Sequence, residues 1–248
     1  MIMKNWQPRP DLLNERLILV TGAGDGIGRA AAVRFAAHGA TVILLGRTIG
    51  KLKDVYDEIE KAKYPQPAIY PMNLEGATPH DYEELALTVE REFGRLDGLL
   101  HNAAMLGTLT PIAHYDVELW YQVMQTNLNA PFLLTQACLG LLMSAPDASI
   151  VMTSDQVGRK GRAYWGAYGI AKAGLENLMQ ILADELETNT RVRVNSVDPG
   201  PVRTRLRLQA YPAEDPASLA RPEDVLTPLL YLMGPDSRAI TGQQFTAQ

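Results

Sequence analysis

Short apolar runs recur along the chain and alternate with longer segments in which apolar residues follow a helical period. A short, continuous apolar run is typical of a strand that is buried on both faces of a parallel sheet. The pattern therefore predicts strands at Leu17–Thr21, Thr41–Leu45, Ala68–Met72, Leu96–His101, Ser149–Thr153, Val192–Val197 and Gln244–Thr246.

The segments between these strands have helical periodicity. They predict helices at Ile27–His38, Thr48–Lys63, Pro79–Phe93, Asp116–Ser144, Gly166–Glu187 and Pro222–Met233. Alternating strands and helices indicate an α/β fold, in which a parallel sheet is covered on both faces. We expect one domain over residues 1–248, with a Rossmann fold and a doubly wound, mostly parallel seven-stranded sheet.

Two segments fall outside this alternation. Pro8 and Pro10 prevent regular structure near the start, so residues 1–15 are expected to form an N-terminal arm. The segment 199–221 is predicted to be irregular and to form a lid over a substrate. Its arginines, Arg203, Arg205 and Arg207, are either solvated surface charges or contacts for an anionic substrate.

Composition narrows the function classes. A net charge of −5 gives no electrostatic reason to expect nucleic-acid binding. Cys138 is the only cysteine, so no intrachain disulfide can form. The first residues lack the apolar core of a signal peptide, and no apolar run approaches the length of a membrane span. We therefore expect a cytoplasmic protein without membrane contact, and the four scattered histidines predict no metal site.

A glycine-rich loop joins the first predicted strand to the first helix. Glycines permit a tight turn and allow a pyrophosphate to approach the backbone at the helix N-terminus. The strand–loop–helix context favours dinucleotide binding over a turn without a ligand. The candidate binding residues in this loop are Gly22, Gly24, Asp25, Gly26, Ile27 and Gly28.

The second predicted strand is followed by Gly46 and Arg47. An NAD site usually has an acidic residue here, which holds the ribose 2′-hydroxyl group. Glycine leaves space at this position, and the arginine offers a fork for a 2′-phosphate. These residues favour NADP over NAD, although Asp25 argues slightly against it and Arg47 could be a solvated charge.

Tyr168 and Lys172 lie four residues apart at the start of a predicted helix, which places both side chains on one face. An ammonium group favours tyrosinate and so lowers the pKa of a neighbouring phenol. Tyr168 could then exchange a proton with a carbonyl or alcohol oxygen. This pair alone is a weak signal, and its weight comes from the motifs before it.

Taken together, the motifs resemble those of the classical short-chain dehydrogenases/reductases. The resemblance runs from about Leu17 to the C-terminus and rests on TGAGDGIG, HNAA at His101–Ala104, Asn127, YGIAK at Tyr168–Lys172, and DPGPVRT at Asp198–Thr204. Within that family the chain is most similar to the YciK-type bacterial oxidoreductases, in stretches such as VILLGR and VGRKGRAYWGAY.

The resemblance implies a role for each matching residue. Tyr168 would be the general acid/base, Lys172 would bind the nicotinamide ribose and lower the pKa of Tyr168, and Asn127 would support a water in a proton relay. Further cofactor contacts would come from Asn73, Leu74, Asn102, Ala103, Ala104, Pro199, Gly200, Val202 and Thr204. The family also implies a homodimer or homotetramer, built through the two long helices.

Asp155 is the serious departure from the family pattern, because it stands where a catalytic serine is common. Serine can donate a hydrogen bond to the substrate oxygen, whereas an ionised carboxylate only accepts. Ser154 is adjacent, but neighbouring side chains of an extended segment point to opposite faces. A protonated Asp155 could still donate. Ala104 and Asn73 replace a usual glycine and a usual aspartate, and both changes are milder.

These residues predict an NADP(H)-dependent oxidoreductase that transfers hydride between nicotinamide and a small carbonyl or alcohol substrate, with Asn127, Asp155, Tyr168 and Lys172 at the catalytic centre. Two alternatives remain open. The first is a dinucleotide-binding sensor or scaffold in which Asp155 has weakened or abolished catalysis. The second is an isomerase or dehydratase on the same scaffold, because fold does not fix the reaction.

Overall fold

The computed structural model of the chain describes residues 6–248, so the first five residues of the predicted arm lie outside the described part. Seven strands form one sheet in the order β3-β2-β1-β4-β5-β6-β7. Every neighbouring pair of strands is parallel. The predicted parallel α/β fold is thereby confirmed.

The strands agree with the apolar runs to within two residues at each end. They are β1 Leu17–Thr21, β2 Thr41–Gly46, β3 Ala68–Pro71, β4 Gly98–His101, β5 Ala148–Thr153, β6 Val192–Asp198 and β7 Gln244–Thr246. The five residues of β1 and the six residues of β5 are all buried. Such runs form central strands because both faces of a parallel sheet are covered.

Helices connect the strands on both faces of the sheet. They are α1 Gly26–Ala37, α2 Ile49–Lys61, α3 Pro79–Phe93, α4 Val117–Met124, α5 Ala130–Met143, α6 Gln156–Arg159, α7 Gly166–Glu187, α8 Arg205–Ala210 and α9 Thr227–Met233. The bounds of α3 are specified locally by a capping box between Thr78 and Asp81, by Pro79 in the first turn, and by Gly94 at the end with φ 77°.

Three predicted segments need correction. The predicted helix Pro222–Met233 is a 3₁₀ turn, Pro222–Val225, followed by α9. The predicted helix Asp116–Ser144 is α4 and α5 joined by a π-helical turn, Gln125–Asn129. This widened turn contains Asn127, whose side chain forms hydrogen bonds with the main chain of Met105. The predicted irregular segment 199–221 contains α8 and a short 3₁₀ turn, and Thr204 caps α8 by accepting a hydrogen bond from the Arg207 amide.

Two apolar layers hold the sheet between helices. Leu19, Ile43 and Ile150 point into the layer shared with α3, α5 and α7. Their neighbours Ile18 and Val20 point into the other layer, which α1, α2 and α9 cover. Because side chains alternate along a strand, the central strands supply both layers. All the strands are parallel, so their C-terminal ends lie at one edge of the sheet.

The described part of the arm, residues 6–15, contains no helix or strand but packs against the body of the protein. Leu12 and Leu13 are buried, and the Trp6 ring meets the Tyr231 ring edge to face at 5.3 Å. Over residues 6–248, no helix is both long enough and apolar enough to span a membrane.

Candidate active site

A cavity of about 530 Å³ lies over the C-terminal ends of the strands, where β1 and β4 are neighbours and the strand order reverses. In open α/β sheets this reversal is where ligands bind. The predicted site residues that line the cavity are Gly22, Gly24, Asp25, Gly26, Ile27, Arg47, Asn73, Leu74, Asn102, Ala103, Ala104, Asp155, Tyr168, Lys172, Pro199, Gly200, Val202 and Thr204. Gly28 and Asn127, which were also predicted, lie behind this lining.

The glycine loop after β1 brings backbone close to the cavity. Gly22 has φ +67°, a left-handed conformation that glycine adopts without strain. A Cβ atom on Gly28 would lie 2.3 Å from the carbonyl oxygen of Gly22 and 2.5 Å from Nδ2 of Asn102. Only glycine permits α1 to begin so close to the loop, so Gly28 positions the predicted phosphate-binding turn without lining it.

Asp25 has a structural role at this loop. Its Oδ1 accepts a hydrogen bond from the Gly26 amide at 2.8 Å and so caps α1. Its other oxygen is paired with the Lys51 ammonium group, and that hydrogen bond is the largest cause of the lowered pKa of Asp25. Lys51 therefore compensates a negative charge that lies at the helix N-terminus.

Arg47 lies at the mouth of the cavity, at the end of β2. Its side chain is 70% exposed, and its Nη1 atom lies 3.7 Å from Oε2 of Glu75. This surface pair is loose, so the guanidinium group is free to meet a phosphate. Gly46 packs beneath it, where a Cβ atom would lie 3.2 Å from the Leu52 side chain.

The ends of β1 and β4 are tied together by Thr21. Its hydroxyl oxygen accepts hydrogen bonds from the amides of Asn102, at 2.9 Å, and Ala103, at 3.0 Å. The Asn102 side chain also donates to the Thr21 carbonyl at 3.2 Å. These bonds hold the HNAA segment against the glycine loop, as a shared cofactor site requires.

Tyr168 and Lys172 project from the first turns of α7 into the cavity and are 4% and 3% exposed. The Lys172 ammonium group donates to the Thr153 carbonyl at 2.6 Å and lies 5.6 Å from the centre of the Tyr168 ring. Burial lowers the pKa of Lys172 to about 8. The two side chains therefore share one face and one cavity, as their spacing predicted.

Asp155 is brought to the same point from β5. It caps α6 through Oδ1, which accepts from the Val157 amide at 3.0 Å. Its Oδ2 accepts the hydroxyl hydrogen of Tyr168 at 3.1 Å. Burial raises the pKa of Tyr168 well above its usual value, and the carboxylates of Asp155 and Asp198 raise it further. This direction is opposite to the one expected from Lys172 alone, because burial and the two carboxylates disfavour the tyrosinate form.

Both polar atoms of the Asn127 side chain bond to the protein itself. Its Oδ1 accepts from the Met105 amide at 2.8 Å, and its Nδ2 donates to the Met105 carbonyl at 2.7 Å. The side chain thus fixes the segment after HNAA to the π-helical turn. Each polar atom of the side chain thus has one partner already, and a water relay at Asn127 would use its remaining hydrogen-bonding capacity or its main-chain carbonyl group.

The predicted lid, 199–221, closes one side of the cavity. Val202 forms a bridge with Ala220, which folds the segment back on itself. Arg207 is held by Glu214 in two hydrogen bonds of 2.6 Å and stacks over the Tyr211 ring at 3.8 Å. The charge of Arg207 is therefore already paired.

Several lining residues were not predicted from the sequence. They are Lys51, Met105, Leu106, Leu119, Thr126, Trp165, Leu206, Ala210 and Tyr211. Lys51 could have been predicted from its position. It lies in the first turn of α2, shortly after Arg47, and its cation meets Asp25 of the glycine loop. The apolar residues give no such signal, because the sequence does not distinguish an apolar residue that lines a cavity from one in the core.

The cavity fits a nicotinamide dinucleotide on its own features. Its glycine floor admits backbone contact, and its volume is in the range of small-molecule sites. Three lining residues, Thr126, Thr153 and Ser154, have buried hydroxyl groups that find no hydrogen-bond partner within residues 6–248. Buried polar groups are normally satisfied, so a ligand or water is expected to meet them.

Comparison with known proteins gives consistent results. The family model for short chain dehydrogenases matches residues 16–215. An oxidoreductase of uncharacterised activity from Escherichia coli K12, YciK, is 48% identical over 244 residues, which cover 98% of this chain and 96% of that protein.

Solved structures of other short chain dehydrogenases are also similar to this chain. The structure of a chain assigned to the short chain dehydrogenases, from Pseudomonas syringae, has a TM-score of 0.97 and 56% identity, covering 99% of this chain and 100% of that one. Another, from Escherichia coli CFT073 and complexed with NADPH, has a TM-score of 0.94 and 49% identity, covering 97% of this chain and 100% of that one.

Proposed function

The chain belongs to the short-chain dehydrogenase family, and from that premise we propose that it is an NADP(H)-dependent oxidoreductase acting on a carbonyl/alcohol pair. The observation that carries this proposal is the placement of Tyr168 and Lys172 in the same cavity as the glycine loop. A proton-exchanging phenol and a dinucleotide site at one sheet edge suit hydride transfer.

The cofactor preference rests on Gly46 and Arg47. Gly46 supplies no carboxylate for a ribose 2′-hydroxyl group, and Arg47 offers a guanidinium group with only a loose partner. Support also comes from the similar Escherichia coli CFT073 protein, which was crystallised with NADPH. A nicotinamide ring, when bound, supplies the hydride to carbon or takes it from carbon.

The chain's own residues would supply position and one proton. Tyr168 would hold that proton on Oη and pass it to the oxygen of the substrate. Lys172, in its cationic form, would offset the negative charge that then develops on Oη. Pro199, Gly200, Val202 and Thr204 line the cavity after β6 and would hold the carboxamide end of the ring.

Asp155 supports a second candidate function, a dinucleotide-binding protein with weak or lost catalysis. In the free protein the Tyr168 hydroxyl donates to Asp155 at 3.1 Å, and the pKa of Tyr168 is raised. Proton donation to a substrate must first break this hydrogen bond. The intact Tyr168–Lys172 pair argues for the enzyme.

We further propose that residues 1–248 act as one domain in the cytoplasm, with 199–221 as the lid, and that the protein is a homodimer or homotetramer. The outer faces of α4, α5 and α7 expose large apolar side chains, among them Tyr121 at 61%, Phe132 at 45% and Ile170 at 48%. Contiguous exposed apolar surface is typical of protein interfaces. A monomer by light scattering at micromolar concentration would contradict this assembly.

A panel of carbonyl compounds and alcohols, assayed with NADPH and NADP⁺ by cofactor absorbance, tests the proposed function. Wild type should turn over at least one substrate class, and Tyr168→Phe should lower turnover by about a hundred- to ten-thousandfold while cofactor binding is retained. Tight NADPH binding without turnover across the panel would instead support the binding protein.

A further inference from the structure

Two hydrogen-bond acceptors lie side by side where the proposed reaction would place the substrate's reacting atom. Oδ2 of Asp155 and Oη of Tyr168 are 3.1 Å apart, and both residues line the cavity. An ionised carboxylate can only accept, and a phenol whose hydrogen is given to that carboxylate presents its lone pairs outward. This pair therefore suits a reacting atom that carries a hydrogen, and it opposes a bare carbonyl oxygen.

The charges around this point leave an excess of negative charge. Asp155, Asp198 and Glu176 interact electrostatically with Lys172, and Arg159 pairs with Glu176. Within this group, three carboxylates against two cations leave one negative charge. Arg205 also lines the cavity, and it interacts electrostatically with Asp25 at the glycine loop. Arg207 also interacts electrostatically with Asp155, but the charge of Arg207 is neutralised by Glu214 through two hydrogen bonds of 2.6 Å.

The walls beside Asp155 are aromatic and aliphatic. The Trp165 ring lies 5.7 Å from the Tyr168 ring and 6.0 Å from the Tyr211 ring, measured between centres. Leu106, Leu119, Leu206 and Ala210 complete this part of the lining. Aromatic faces attract cations, and apolar walls strengthen the pull of a carboxylate on a positive charge.

From the acceptor pair, the excess negative charge and the aromatic wall, we propose that the site also reduces protonated imines to amines and that Asp155 binds the N–H of the cation. This activity rests on the proposed function, whose reduced nicotinamide cofactor is the reductant. A hydrogen with its two electrons is added to the imine carbon, and the π pair of the C=N bond becomes the nitrogen lone pair. The substrate therefore needs no proton from Tyr168 in that step.

A cyclic amine and its oxygen isostere test the binding part of this proposal. Protein saturated with NADPH cannot reduce either tetrahydroisoquinolinium or isochroman, so calorimetric titration at pH 7 measures affinity alone. We expect the cation to bind about ten- to a hundredfold more tightly than isochroman, which is the usual value of a hydrogen bond to a charged group.

Asp155→Asn keeps an oxygen to cap α6 and removes the charge, so it should reduce this preference to about threefold or less. Asp116→Asn is the matched control, since Asp116 caps α4 outside the cavity and accepts from the Leu119 amide at 2.8 Å. It should leave both affinities unchanged. Equal affinity for the two ligands in wild type, or a preference that survives Asp155→Asn, would overturn the proposal.

Turnover tests the chemical part, with 3,4-dihydroisoquinoline as imine and 1-tetralone as ketone. We expect the imine to be reduced faster, and Asp155→Ser should reverse that order. Cation binding without imine reduction, while the ketone is reduced, would overturn the imine activity and leave the proposed function standing. Failure of the wild-type protein to bind NADPH would overturn both.

Discussion

The hydroxyl group of Tyr168 donates its hydrogen to the carboxylate of Asp155, with Oη and Oδ2 3.1 Å apart. The hydroxyl group that is expected to exchange a proton with substrate is thus held by an acceptor from the segment after β5. Lys172 lies below the same ring, with its ammonium group bonded to the Thr153 carbonyl. The reactivity of Tyr168 depends on which of these two neighbours dominates.

Replacing Asp155 with serine should therefore increase carbonyl reduction. Asp155→Ser removes a charge that raises the pKa of Tyr168 and introduces a hydroxyl group that can donate to substrate oxygen. We expect turnover of a ketone at pH 7 to rise about tenfold, the value of one hydrogen bond to a developing charge. Stopped-flow or steady-state cofactor absorbance measures this.

The pH dependence of the same two proteins gives an independent check. The pKa of Lys172 is about 8, so its cation is present below that pH and is lost as pH rises through it. Wild-type turnover should fall above about pH 8. Because Asp155 is one of the groups that raise the pKa of Lys172, the fall should begin at lower pH in Asp155→Ser. If wild-type activity instead falls as pH rises through the acidic range, and Asp155→Ser lacks that dependence, Asp155 works in its protonated form.

The sequence predicts the secondary structure around this site more completely than the hydrogen bonds within it. Apolar runs located the central strands of the sheet, because burial on both faces leaves a continuous hydrophobic signal. The edge strands β3 and β7 are only partly buried and carry a weaker signal. The spacing of Tyr168 and Lys172 likewise fixed their common face. Asp155 was identified by position, but its hydrogen bond to Tyr168 depends on how α6 packs on α7, which spacing does not encode.

The aromatic wall shows the same limit. Trp165 and Tyr211 come from segments with no regular pattern, and their rings meet although they lie far apart in the sequence. The sequence predicts a regular helix around Asn127, whereas the structure has a π-helical turn there, with a tertiary hydrogen bond from the Met105 amide to the Asn127 side chain. Long-range contacts of this kind have no local periodicity from which to predict them.

Arg47 should set the preference for NADPH. Its guanidinium group lies at the cavity mouth with Glu75 as a loose partner, so Arg47→Ala is expected to weaken NADPH binding about tenfold or more and to leave NADH binding within about twofold. Fluorescence titration of both cofactors measures this. Lys53→Ala, which removes a neighbouring surface charge on α2 outside the cavity, is the control. Equal affinity of wild type for NADPH and NADH would contradict the assignment.

Gly28 should tolerate no side chain. A Cβ atom there would lie 2.3 Å from the Gly22 carbonyl oxygen, so Gly28→Ala must displace the glycine loop from α1. We expect a loss of about 1–3 kcal/mol in the free energy of unfolding and at least tenfold weaker NADPH binding. Gly140→Ala is the matched control, because a Cβ at that exposed position in α5 meets nothing within 4 Å. It should raise stability slightly, by about 0.5–1 kcal/mol.

His101 should make the protein sensitive to acid. Burial lowers the pKa of its imidazole from 6.5 to about 3, and Nε2 lies 2.8 Å from the Thr135 hydroxyl. Below pH 6.5 the unfolded chain takes up a proton that the folded protein does not, so this residue's contribution to stability is present above that pH and is lost as pH falls towards 3. At pH 5 the loss amounts to about 2 kcal/mol relative to pH 7.

Urea denaturation of wild type and His101→Gln at the two pH values isolates this contribution. Glutamine keeps a hydrogen-bonding group near Thr135 and cannot take up the proton, so the variant should lose about 2 kcal/mol less than wild type between pH 7 and pH 5. The variant starts from a lower stability at pH 7, since the fit of a buried side chain is altered. The comparison therefore uses the difference between the two pH values within each protein, and an equal difference in both would show that His101 is not the group that titrates.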